Sequence, residues 1–203
     1  MAEASRELGL RERTRRAVRA ELMTVAMELF TRKGYDATTI DEIVAAAGMS
    51  RSSFFRYFAS KEDVVLGHFD AVGETLANAM AQRPAHEDAW TALRRAFDVL
   101  LANHERDPQG TLALRHMLDA NPALRARSIE KQCRWHSRLI PHIAARLDPT
   151  PANAGIDARP EALIGAALAC LEAAGRAWMA SEGQASLDRL LDDGMRAVRP
   201  GAF

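Results

Sequence analysis

The chain has 203 residues, 48% of them hydrophobic and 27% charged, which suits one large or two small domains with real cores. Basic and acidic residues balance at 27 each, so no global charge advertises a nucleic-acid partner. Two cysteines, Cys133 and Cys170, are too few for a disulfide framework or a four-cysteine metal site. No apolar run approaches the about 18 residues that cross a bilayer, and the N-terminus lacks a signal-peptide apolar region, so a cytoplasmic protein with no membrane partner is expected.

Charge is unevenly distributed from the start. Residues 11–20, RERTRRAVRA, carry five arginines and one glutamate, and only three of the 27 basic residues in the chain are lysines (Lys33, Lys61 and Lys131). A helical period follows: Val18, Leu22, Val25, Ala26, Leu29 and Phe30 share one face, and Lys33-Gly34 supplies a basic last turn and a stop. Thr39 then reads as an N-cap with Glu42 completing a capping box. Ile40, Ile43, Val44 and Ala47 give that second helix its apolar stripe, and Gly48 ends it. Within GMSRSSFFRYF, residues 48–58, Ser50 is an N-cap, and Met49 and Phe54 have the spacing of a hydrophobic staple. Phe54 and Phe58 stack at i, i+4, with Ser52 and Arg56 opposite, Ser53 and Phe55 on the flanks, and Tyr57 at the boundary. A two-turn helix of this kind is too short to stand alone, so its neighbours must hold it. Ser60 caps the next helix, with Asp63 three residues on, and that helix is predicted from Lys61 to about Gln82.

Beyond residue 83 the punctuation changes. Asp107-Pro108 and Asn121-Pro122 each read as an N-cap followed by proline at the first helical position. Two or three helices fit between Glu87 and Leu147, DPTPANAGIDARP (148–160) reads as a long loop, and two helices follow at about 160–181 and 184–198. With no strand alternation and no internal repeat, the expected architecture is all-α. It comprises an N-terminal three-helix unit over residues 1–60 and a larger helical body over 61–203.

Helix, cap, short helix, glycine-containing turn and second short helix between residues 39 and 58 make a helix-turn-helix. Duplex DNA suits this layout because an α-helix fits the major groove and reads base edges with side chains near its N-terminus. Phe54 and Phe58 would anchor the reading helix, with Ser52, Ser53, Phe55 and Arg56 outward and Arg51 at its start within reach of a guanine edge or a phosphate.

The stretch TTIDEIVAAAGMSRSSFFRYFASKEDVV (38–65), preceded by AMELFTRKGYDAT (26–38), resembles the TetR-type transcriptional regulators over roughly the first third of the chain. The resemblance implies phosphate contacts from Thr39, Tyr57 and Lys61, and a groove-facing set of Arg51, Ser52, Ser53, Phe55 and Arg56. Phe55 departs from the tyrosine of many relatives and is left with apolar contacts alone. The resemblance further implies a ligand pocket in the helical body and a homodimer through the last two helices. Ala162, Gly165, Ala166, Ala169 and Ala173 are compatible with close approach of a partner helix, and Leu187, Leu190, Leu191 and Met195 supply an apolar face. The wording FFRYFASKEDVV and the arginine-rich arm look like the subset of regulators with acyl-CoA-like effectors.

Each assignment has a plainer rival. The arm over residues 11–19, with Arg11, Arg13, Arg15 and Arg16, suits phosphate or minor-groove binding, yet such arginines also make ordinary solvated faces. Trp90, Phe97, Leu101, Leu112, Met117, Trp135, Leu139 and Trp178 are candidates for the effector pocket or for ordinary core. Arg115, Arg134 and Arg138 could pair with an anionic ligand group or simply face water, Arg138 being the pocket candidate among them. Cys133 and His136 lie one helical turn apart without a second pair nearby, so neither a metal nor a cofactor is expected. The function expected is a repressor released from a palindromic operator by a small apolar or amphipathic ligand. The alternatives are an all-α enzyme, for which no catalytic histidine spacing, phosphate loop or nucleophile motif is found, and a regulator controlled by protein partners.

Overall fold

The computed structural model describes residues 2–67, 69–148 and 157–201, with side chains from residue 13 onward. Among the described residues the chain is helical, without strands. The N-terminal helices are α1 (Ala2–Lys33), α2 (Ile40–Ala46), α3 (Arg51–Phe55) and α4 (Lys61–Leu66). The remainder are α5 (Phe69–Ala81), α6 (Ala89–Ala96), α7 (Asp98–Arg106), α8 (Pro108–Ala120), α9 (Pro122–Ala144), α10 (Arg159–Ala180) and α11 (Leu187–Val198). They form two compact units, Met1–His68 and Phe69–Phe203.

In the first unit, α1 packs on α2 and α4, and Leu22, Ala26 and Phe30 of α1, Ile43 and Val44 of α2, Phe54 of α3, and Val64, Val65 and Leu66 of α4 are all buried. The expected helix from Lys61 to Gln82 is interrupted at Gly67, the C-cap of α4. A Cβ there would stand 2.5 Å from the Asp63 carbonyl oxygen and 2.8 Å from Nη2 of Arg19, so only glycine fits. That break places α4 in the first unit, so the observed division falls after residue 68 rather than after 60. The arginine-rich arm is no separate segment either: α1 is helical from Ala2. Residues 2–20 contain no proline and are dominated by alanine, leucine, glutamate and arginine, which outweigh the about 1 kcal/mol cost of Gly9.

The second unit is built on the pairing of α5 with α9, α9 with α10, and α10 with α11. Four helices, not two or three, occupy residues 89–144, because the chain turns at Phe97, fully buried between α6 and α7. The two proline-led starts form as the sequence dictates: Asp107 accepts the Gly110 N–H at 2.9 Å, and Asn121 accepts the Leu124 N–H at 2.9 Å. Arg94, 4% exposed, reaches from α6 to α11, donating to Asp188 and Asp192 as well as to Asp98 on α7 at 2.7 Å. The loop expected over 148–160 falls mostly outside the described residues. By length and composition alone α10 would be long and apolar enough to cross a membrane, yet it holds no unbroken apolar run of the about 18 residues that the expectation concerned. Alanines raise its mean hydropathy, while Glu161, Glu172 and Arg176 interrupt every long apolar run. Ile164, Ala167, Cys170, Ala174, Gly175 and Trp178 form its buried side. The small-residue face is left open: Ala162, Ala169 and Ala173 are exposed, and Gly165 and Ala166 half-buried.

Candidate DNA-reading head

Two caps and a glycine set the pitch of the head. The Thr39 hydroxyl accepts the Glu42 N–H at 3.2 Å while the Glu42 carboxylate accepts the Thr39 N–H at 2.9 Å, closing the capping box at the start of α2. Lys33 also donates to that carboxylate. This bond foremost, with those from Thr39, pulls the Glu42 carboxyl down to about 2. Gly48 turns the chain at φ +64°, a left-handed conformation costly for other residues, and the Met49 N–H closes on the Val44 carbonyl at 2.9 Å. Ser50 then caps α3 by accepting the Ser53 N–H at 3.1 Å.

The resulting short helix has two chemically distinct sides. Phe54 and Phe58 are 0% and 3% exposed, their ring centroids 5.8 Å apart. Ser52 and Arg56 are exposed on the other side, Ser53 is half-buried, and Phe55 holds 46% of its surface in water with its ring edge-on to Phe54. Arg51 is exposed and donates to Asp41 on α2 at 2.7 Å, its guanidinium 5.8 Å from the Phe55 ring. Arg56 reaches the Ser53 hydroxyl at 3.4 Å and lies 5.8 Å from the Tyr57 ring. Tyr57 is half-buried and Thr39 exposed. Arg13, Arg15 and Arg16 are also exposed along α1; the side chain of Arg11 lies outside the described residues.

Lys61 is placed differently from a simple surface cation. Its ammonium donates to the carbonyl oxygens of Tyr35 at 2.8 Å and Thr38 at 3.0 Å and sits 4.2 Å from the Tyr35 ring centroid. It therefore ties the α1–α2 connection to the start of α4, with one ammonium proton beyond those two bonds. Two positioning residues escape a sequence reading. Arg19, seemingly one more arm arginine, lays its guanidinium 4.3 Å from the Phe58 ring centroid and donates to the Tyr57 carbonyl, bolting α1 to the end of the reading helix. Its spacing of three from Leu22, at the edge of the buried stripe, is the signal that sets it apart. Asp41 gave no such signal; only the α2–α3 turn brings it to Arg51.

In the body, Trp90, Phe97, Leu101, Trp135, Leu139 and Trp178 are buried, and Leu112 and Met117 half-buried. Trp135 has a packing role: its indole N–H donates to the Phe69 carbonyl at 2.9 Å, and its ring lies over Gly73, where a Cβ would come within 2.3 Å. Arg138 is exposed and donates to the Asp70 carbonyl at 2.9 Å. His136 pairs with Glu161 at 3.3 Å, and Cys133 is exposed. Among the described residues, no three metal-binding side chains cluster.

Comparison with known proteins agrees with this geometry. Residues 22–67 match the family described as bacterial regulatory proteins, tetR family, and residues 87–202 match the MftR C-terminal domain of TetR regulators. The chain is 30% identical to the HTH-type transcriptional regulator TcmR of Streptomyces glaucescens, over 96% of this chain and 88% of the relative. The transcriptional regulator FadR of Bacillus subtilis, solved with stearoyl-CoA, shares the fold at a TM-score of 0.63 and 16% identity, over 91% of this chain and 99% of that one. Thermus thermophilus FadR, a TetR-family repressor solved with lauroyl-CoA, superposes at a TM-score of 0.59 and 25% identity, covering 91% and 95%. The matches span both units, and the chain therefore belongs to the TetR family of DNA-binding transcriptional regulators.

Proposed function

We propose that the protein is a cytoplasmic homodimeric repressor that grips a palindromic operator through two copies of α3 and lets go when a small amphipathic molecule occupies the body. The observation that carries the reading is the split of α3 into an anchored side, Phe54 and Phe58, and an open side of hydroxyls, guanidinium and an aromatic edge. Arg51, Ser52, Ser53, Phe55 and Arg56 then meet base edges, Phe55 offering a thymine methyl its ring, while Thr39, Tyr57 and Lys61 meet phosphates and Arg13, Arg15 and Arg16 the flanking backbone. The open face of α10 supports pairing with a second copy, since small residues let two helices approach closely. The acyl-CoA molecules held by the two FadR structures support an acyl-CoA-like effector here.

Ser52→Ala and Arg56→Ala test the reading head. Each should weaken binding to the operator, with a loss of about 1–3 kcal/mol for the arginine, and leave binding to bulk DNA nearly untouched. Equal losses on both DNAs would show that these side chains do not read bases.

A further inference from the structure

One half-buried cation of the body is only loosely partnered by its surroundings. Arg115 on α8 has a side chain only 24% exposed, and its guanidinium carbon lies 2.1 Å from where a Cβ on Gly175 would stand, flat against the α10 backbone. Its one ion-pair contact among the described residues is Glu172 at 3.8 Å, too long for a hydrogen bond. Glu172 is itself shared: Arg176 donates to it at 3.2 Å and Arg125 lies 4.0 Å away. Asp119, 3.6 Å from Arg125, is the other nearby acid. Three guanidiniums therefore face two carboxylates, and the one farthest from water has the loosest partner. Burial holds Arg115 below its ordinary proton affinity, and the charge of Arg176 pulls the same way against Glu172.

The neighbours point to a ligand. His104 on α7 stands edge-on to Trp178 of α10, ring centroids 4.3 Å apart, and its buried Nδ1 finds no hydrogen-bond partner among the described residues. Burial first, and then the nearby charge of Arg115, disfavour protonation of that imidazole. Trp178 lies one turn beyond Gly175, and Leu112, one turn before Arg115, joins it at Gly183, where a Cβ would touch both. An under-partnered guanidinium, an orphaned ring nitrogen and a half-buried leucine thus lie on α8 and α7 around the buried Trp178 of α10. Burying an uncompensated charge costs stability, so a fold keeps one where something else needs it.

We propose that Arg115, seated on Gly175 with His104 beside it, binds the oxyanion of a small amphipathic ligand, a carboxylate or a phosphate whose apolar part lies against the half-buried Leu112. This deepens the effector reading above and rests on it. Of the three arginines that sequence offered as anion partners, Arg134 and Arg138 are exposed and turned to Asp70, leaving Arg115 for the role.

The test is calorimetric titration of the full chain with decanoate, decyl phosphate and 1-decanol, beside thermal melts without ligand. Wild-type protein should bind at least one of the two anions and not the alcohol, and the anion preferred separates carboxylate from phosphate. Arg115→Met should weaken that binding about ten- to a hundred-fold, yet leave the melting temperature unchanged or raised, because it removes a half-buried charge that is only loosely compensated. Gly175→Ala, which denies the guanidinium its seat, should weaken anion binding as well. The proposal falls if decanol binds as well as the anions, if neither anion binds, or if Arg115→Met melts earlier while Gly175→Ala binds the anion like wild type. DNA affinity is read separately: an anion that needs Arg115 to bind but leaves DNA binding unchanged would overturn the effector reading and keep the site.

Discussion

Lys61 holds two carbonyls of the first unit and keeps one ammonium proton beyond them. Two of its protons bond the Tyr35 and Thr38 carbonyls, so removing it leaves two acceptors without their donor before DNA is considered. Lys61→Ala should lower the melting temperature of the protein, weaken all DNA binding, and flatten the salt dependence by about one unit if the remaining proton meets a phosphate. An unchanged melting temperature would contradict the inward lock, and an unchanged slope the phosphate contact. Arg19 acts through packing within the head. Its bond to the Tyr57 carbonyl and its stack on Phe58 together make Arg19→Ala worth roughly 1–3 kcal/mol in denaturant unfolding. Arg19→Lys keeps a donor but not the flat stack, so it should fall between the two; a lysine variant as unstable as the alanine would show that the hydrogen bond contributes nothing.

At the scale of elements, the caps and clasps decide what the helices do. Glu42 is depressed to about 2 from an ordinary 4.5, so the stability it lends α2 is fully present above pH 4.5 and fades as the pH falls toward 2. Wild type should therefore out-melt Glu42→Gln at neutral pH, with the difference gone by about pH 2; a constant difference across that range would rule out the capping carboxylate as its source. In the body, Arg94 fastens α11 to α6, and although burial works against its charge, the hydrogen bonds it donates to Asp192 and Asp98 prevail and raise its proton affinity. Breaking a fully buried ion pair costs about 3–5 kcal/mol, but Asp98 and Asp188 are half in water, so about 2–3 kcal/mol is expected for Arg94→Ala. For a chain of this length that is a fall of roughly 4–12 °C in Tm. A shift within about 1 °C would mean that α11 is held by Leu187, Leu191 and Met195 alone.

At the scale of the molecule, the two reading helices of a dimer act as a caliper. Half-sites one turn apart require heads about 34–36 Å apart, and the operator should show two protected half-sites related by a twofold axis. Inserting five base pairs between them turns one half-site to the opposite face of the duplex and should abolish dimer binding; undiminished binding would refute the paired-head arrangement. An effector needs to prefer the non-binding spacing by only about 1–3 kcal/mol to change operator affinity about 5–150-fold.

The helices and their starts were legible in the sequence because caps, glycines and prolines act over three or four residues. Thr39 with Glu42, Ser50, Asp107-Pro108 and Asn121-Pro122 all sit where they were read. The two-sidedness of α3 was equally legible, since a 3.6-residue period needs no partner to be recognised. What neighbours share across the fold was not. The need for glycine at 67 follows from Arg19 and Asp63 crowding it, the inward turn of Lys61 from carbonyls more than 20 residues away, and the singling out of Arg115 from a glycine 60 positions downstream. Local patterning alone determined an all-α chain with a DNA-reading helix; which cations were tied down and which left under-partnered was decided only when distant segments packed, because electrostatic compensation depends on distance in space and not along the chain.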